Sequence, residues 1–127
     1  MSSAHALIID DNHANIDVLA MLLAEQGLTH TAIDSLRHLS ACLDQLGQVD
    51  VIFLDLEFPN GDGFSAFNHL QADARLQGVP VVAYTVHTSE INQVKAAGFH
   101  SFLGKPLNAR RFPDQLKRIL NHVPVWE

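Results

Sequence analysis

Scarcity narrows the class of this chain before any motif is read. Its one cysteine, Cys42, has no intramolecular partner for a disulfide, and its place in an expected helix reads as a small packed thiol. No apolar run approaches the ~20 residues of a membrane span, and Met1-Ser2-Ser3-Ala4-His5 has no basic stretch ahead of a signal-type segment. Export and anchoring are not expected; a reducing cytoplasm is. Basic residues are also few: Lys and Arg number 8 against 14 Asp and Glu, for a net charge of −6. Nucleic-acid binding needs the opposite excess on one face, so DNA and RNA are not expected partners. Five late basic residues, Lys105, Arg110, Arg111, Lys117 and Arg118, fall mostly on the solvated face of one helix. The eight histidines show no zinc-ligand spacing.

What is present is a regular alternation. Apolar or β-branched runs at Ala6 to Ile9, Thr29 to Ile33, Val51 to Leu54, Val79 to Tyr84 and Ser101 to Leu103 predict five strands. Between and after them lie five helix-period sets, the first built on Ile16, Leu19, Ala20 and Leu23 and the last on Phe112, Leu116, Ile119 and Leu120. Gly27, Gly47 and Gly98 stand where helices should stop, and Ser35, Ser89 and Asn108 where they should start. The 127 residues are therefore read as one domain, with a core over about 5–121 and a short tail over 122–127. The pattern is α/β, a (βα)5 doubly wound parallel sheet. Right-handed crossovers favour the strand order 2-1-3-4-5, whose topological switch lies between the first and third strands.

Carboxylates gather at that switch. The first strand runs into Asp10-Asp11 and the third into Asp55. Any one of these acids alone reads as a helix or turn cap. Three together repel one another unless bridged by a cation, and an all-oxygen set without His or Cys suits a hard ion such as magnesium. Thr85 ends the fourth strand, and Lys105 ends the fifth just before Pro106. A carboxylate nucleophile that accepts a phosphoryl group needs such a cation and hydroxyl donor around the transferring oxygens. The Lys105-Pro106 bond is also a candidate cis peptide.

The set Asp10-Asp11, Asp55, Thr85 and Lys105-Pro106, with the loop Pro59-Asn60-Gly61-Asp62-Gly63, resembles the receiver domains of bacterial response regulators, including single-domain regulators and the receivers of hybrid kinases. The likeness spans Leu7 to about Leu120 and implies the flavodoxin-like receiver fold. It implies that Asp55 is the phosphoacceptor, that Asp10, Asp11, Asp55 and the Glu57 backbone carbonyl hold Mg2+, and that Thr85 and Lys105 bind the phosphoryl oxygens. Thr85 and Phe102 match the family's switch pair, with Thr85 drawn to the phosphoryl group and Phe102 turning inward. The implied partners are a histidine kinase or histidine phosphotransfer protein and a downstream protein target, the chain being a monomer or a phosphorylation-dependent dimer. Such a protein is not an enzyme beyond its own phosphoryl transfer and dephosphorylation.

Two positions depart from the family pattern. Val86 stands where small residues are common, which implies restricted access, and Gly61 replaces an apolar residue, which implies a looser loop. His13 and His87 are expected at the pocket border. The segment Val18 to Ala24 is apolar almost all round, so Val18 and Leu22 are expected to face outward and, with Asn15 and Pro106, to receive the phosphodonor.

Other functions use similar parts. An aspartyl-phosphate phosphohydrolase would resemble its relatives in an Asp-x-Asp pair, whereas this chain has Asp55-Leu56-Glu57 and no length for a cap domain. A flavin module would need a Ser/Thr/Gly-rich phosphate loop where Asp10-Asp11 stands. A receiver-like interaction module with little or no phosphorylation is a further alternative, supported by Val86.

Overall fold

The computed structural model describes residues 4–58 and 62–127, so the Pro59-Asn60-Gly61 part of the acidic-site loop lies outside the described residues. The strands are β1 His5–Ile9, β2 Thr29–Ile33, β3 Val51–Asp55, β4 Val81–Thr85 and β5 Ser101–Gly104. The helices are α1 His13–Glu25, α2 Leu39–Gln45, α3 Gly63–Ala72, α4 Ile91–Ala97 and α5 Phe112–Leu120. The sheet is parallel in the order β2-β1-β3-β4-β5, as the alternation predicts.

Burial explains this order. Every residue of β3 and β4 is buried, as interior parallel strands covered on both faces require. On one face Leu7, Ile9, Leu54, Ala83 and Phe102 pack against α2, α3 and α4. On the other, Ile8, Phe53, Val82, Tyr84 and Leu103 pack against α1 and α5. Phe53 stands edge-on to Tyr84 with ring centres 6.4 Å apart and lies 6.3 Å from Phe112, so three rings join β3, β4 and α5. Full burial of a side chain of this size contributes about 1.5–3 kcal/mol.

Local chemistry sets the boundaries. The Asn12 side chain caps α1 by accepting from the Asn15 amide at 3.1 Å, and Gly98 ends α4 at φ +102°, a conformation that favours glycine. Asn108 accepts from the Arg110 and Arg111 amides at 2.9 and 3.2 Å, opening the turn that leads into α5. Ser89 does not start a helix as expected; it lies inside a 3-10 turn, Thr88–Glu90, whose amides already bond back to Val86 and His87. The ladder of β4 begins at Val81 rather than Val79, because Pro80 has no N–H to contribute.

Two features at the sheet margins were not expected. On β2, residues Thr29 and His30 are exposed, and the His5 ring bridges Thr29 Oγ1 at 2.6 Å and Thr31 Oγ1 at 2.8 Å. At the opposite margin the tail turns at His122, φ +62°, and runs along β5. The Phe102 amide donates to Val125 O at 2.7 Å, and the Glu127 amide donates to Phe102 O at 3.0 Å. The tail is thus part of the fold, not an appendage to it.

Candidate functional site

The parallel register brings the expected residues to one edge. Asp55 lies opposite Tyr84, and Thr85 opposite Gly104, while Ile9 pairs with Leu54 just below Asp10 and Asp55. Asp10, Asp11 and Asp55 each offer a carboxylate oxygen, and these oxygens all lie within 4.8 Å of one another. Asp10 is fully buried, Asp55 is 3% exposed, and Asp11 faces solvent. The donor set is all oxygen, open on one side, and fits a hard divalent cation such as Mg2+ that keeps several waters.

Each buried acid is held from below. Asp10 accepts from the Asn12 amide at 2.8 Å and from the Tyr84 hydroxyl at 2.7 Å. Asp55 Oδ1 accepts from the Glu57 amide at 3.0 Å. Lys105, only 11% exposed, sets its ammonium 3.4 Å from Asp55 and 3.8 Å from Asp10. Its bond to Pro106 is cis, as the Lys-Pro pair allows. Burial, reinforced by the Asp10 charge, pushes the Asp55 carboxyl up to about 6 against the pull of the Glu57 amide and Lys105. Burial and the bond to Asp10 likewise raise the Tyr84 phenol.

Tyr84 and the side chain of Glu57 are site residues that the sequence did not mark. Tyr84 sits in an apolar strand run, so its hydroxyl looks incidental until the register sets it on Asp10. Its ring also lies under the Lys105 ammonium, 4.4 Å away, in cation–π geometry. Thr85 is buried and donates to Glu57 Oε1 at 3.4 Å while accepting from the His87 amide at 3.1 Å. His87 stands 3.3 Å from the same Glu57 carboxylate, at the pocket border. His13 instead lines a separate depression with Asp34 and His38.

Beside the acids lies an open depression of about 340 Å3 that includes Asn15, Val18, Val86, Lys105 and Pro106 among its walls. Val86 stands exposed at its rim. Leu22 corrects the expectation of an outward pair: it is 4% exposed and belongs to the α1–α5 core, whereas Val18 is 48% exposed. Leu22 lies three residues after Leu19 and so falls on the same face, while Val18 sits roughly 40° further round the helix. Phe102 also differs from expectation. It is 1% exposed, so its side chain is already inside in this structure rather than waiting to turn inward. Trp126 of the tail packs against the same cluster and helps to close it.

The response regulator receiver domain model matches residues 6–117, which is most of the chain. The chain belongs to the response regulator receiver family. Among curated relatives, the receiver is 27% identical over 125 residues to the two-component response regulator ORR13 of Oryza sativa subsp. japonica, covering 97% of this chain and 100% of that one. It is 29% identical over 122 residues to the hybrid signal transduction histidine kinase L of Dictyostelium discoideum, covering 88% of this chain and 7% of that protein. Among solved structures, the receiver domain of the Pseudomonas aeruginosa sensor histidine kinase PA1611 matches with a TM-score of 0.75 at 24% identity, covering 94% of this chain and 96% of that one. That structure is described with a magnesium ion coordinated in its active-site cleft. The receiver is thus a signalling domain of the two-component type. Among the described residues, no helix is long and apolar enough to cross a membrane.

Proposed function

We propose that this receiver accepts a phosphoryl group on Asp55 from the phosphohistidine of a histidine kinase or histidine phosphotransfer protein. One observation carries the reading: three carboxylates share a space of 4.8 Å, and the Lys105 ammonium lies 3.4 Å from Asp55. In the transfer, an Asp55 oxygen forms a bond to phosphorus as the phosphorus–nitrogen bond breaks. The electron pair leaves with the imidazole, which takes up a proton. Asp10, Asp11, Asp55 and the Glu57 backbone carbonyl would hold a magnesium ion, which would neutralise part of the phosphoryl charge. Lys105 adds the second cation, and Thr85 exchanges its bond to Glu57 for one to a phosphoryl oxygen. Attack by water at phosphorus later returns the free carboxylate and inorganic phosphate.

The open depression beside the acids is where the donor protein sits in this reading, with Asn15, Val18 and Pro106 at its wall. Downstream, the modified receiver acts on a protein target, as a monomer or a phosphorylation-dependent dimer. The test is intact mass after incubation with Mg2+ and a small acyl phosphate. A gain of one phosphoryl group, absent in Asp55→Asn and in EDTA, is the expected result. Uptake that survives Asp55→Asn would overturn the assignment.

A further inference from the structure

The tail does more than cover an edge. Residues Val123 to Glu127 lie along β5, and alternate side chains enter opposite cores, Val125 on the α1–α5 side and Trp126 on the α2–α4 side. Three bonds tie the tail to the strand: the two main-chain bonds to Phe102 and one from the Val125 amide to Ser101 Oγ at 3.0 Å. Both flanking helices add contacts. Lys95 of α4 stands 5.1 Å over the Trp126 ring, and the Glu127 carboxylate takes Arg111 and Gln115 at 2.8 Å and Arg118 at 3.5 Å. The segment therefore straps α4, β5 and α5 together.

This strap touches the strand that carries the site. The Glu127 carbonyl lies 3.5 Å, an ordinary contact distance, from where a Cβ on Gly104 would stand, so the strap passes close beside the strand end. Gly104 pairs with Thr85 on one side and precedes Lys105 on the other, and the Lys105 amide donates to Thr85 O at 2.9 Å. A phosphoryl group on Asp55 pulls on both Thr85 and Lys105, and Gly104 must follow them. We propose that the tail 123–127 is a phosphorylation-linked strap, closed on β5 when Asp55 is free and released from it when Asp55 carries a phosphoryl group. This inference rests on the phosphoacceptor reading above. By linkage, whatever loosens the strap tightens phosphoryl binding by the same factor, and the reverse. Release exposes the backbone of Phe102 at the β5 edge together with Trp126, which is an acceptor for an extended segment of a target protein.

The chain's single tryptophan is Trp126, so its emission reports the strap without labelling. The full chain is titrated with Mg2+ and beryllium fluoride, a phosphoryl mimic, while 19F NMR follows uptake independently. On uptake, Trp126 emission is expected to shift to the red and to become more quenchable by acrylamide. The Phe102 and Glu127 amides are expected to lose hydrogen-exchange protection while the Phe53 amide keeps it. Glu127→Ala and, separately, Arg111→Ala are expected to bind the mimic about fivefold more tightly than the parent, within the usual range of allosteric coupling. Absence of the bound 19F signal would overturn the phosphoacceptor reading, and the linkage with it. Uptake with Trp126 and both amides unchanged, or with parental affinity in both variants, would overturn the strap alone.

Discussion

Replacing Asp55 by Asn should stabilise the metal-free receiver at neutral pH, although it removes the residue on which the proposed function depends. Burial beside Asp10 raises the Asp55 carboxyl from the ordinary 3.8 to about 6. At about 1.36 kcal/mol for each pKa unit, the ionised form costs the folded state about 3 kcal/mol once both states have lost the proton. The sign follows from which state binds the proton more tightly. Below pH 3.8 the acid is protonated folded and unfolded, and nothing is lost. Between 3.8 and 6 the unfolded chain ionises first, so stability falls as pH rises, and above about 6 the loss is complete. An amide keeps the acceptor for the Glu57 N–H and carries no charge, so Asp55→Asn removes this cost. Urea unfolding in EDTA at pH 4, 5, 6 and 7.5 is expected to give a gain of about 1–3 kcal/mol at pH 7.5 that fades towards zero at pH 4. Adding Mg2+ should stabilise the parent more than the variant and narrow the gap. A variant no more stable than the parent at pH 7.5, or a gain equally large at pH 4, would refute the reasoning.

Four further outcomes test other parts of the structure. Asp11→Ala should weaken Mg2+ binding at least tenfold by calorimetry with the thermal midpoint little changed, since Asp11 is exposed and acts through the ion; parental affinity would remove it from the ligand set. Leu22→Ala should cost about 2–5 kcal/mol in urea unfolding as a core truncation. Val18→Ser should leave stability within about 0.5 kcal/mol and slow transfer from a protein donor but not from a small acyl phosphate, and equal loss with both donors would exclude Val18 from docking. Gly63→Ala should destabilise by about 1–3 kcal/mol despite alanine's higher helix propensity, because the new Cβ would lie 2.5 Å from Leu56 Cα; a more stable variant would show that this turn can shift.

The five-strand order and the meeting of Asp10, Asp11, Asp55, Thr85 and Lys105 were legible because strand ends are marked by abrupt changes from apolar to charged residues, and topology does the rest. Leu22 was misjudged because an apolar helix offers no contrast from which to locate its inward stripe; the position of α5 decides it, and that is a long-range fact. Tyr84 hid for a similar reason: a phenol in a strand run looks like core, and its bond to Asp10 depends on register with a strand 74 residues away in sequence. Phe102 was expected to have room to move because nothing in Val123-Pro124-Val125-Trp126-Glu127 announces that it pairs with β5. Edge pairing of so short a segment leaves no periodic signature.

The polar margin at β2 carries a consequence for how densely this protein can be kept in solution. A parallel sheet ends in two rows of unpaired backbone groups, and each invites another chain to add to it. On β2, exposed Thr29 and His30 and the His5 bridge across Thr29 and Thr31 make a hydrophilic border that a second sheet gains little by covering. On β5 the row consists of Ser101-Phe102-Leu103-Gly104, which has no charge of its own to discourage pairing. The tail takes both Phe102 backbone groups on that border and so leaves them no free valence for a second chain. Samples in which the tail has been clipped or loosened should therefore turn turbid at concentrations where the intact chain stays clear, with growth beginning at the β5 side.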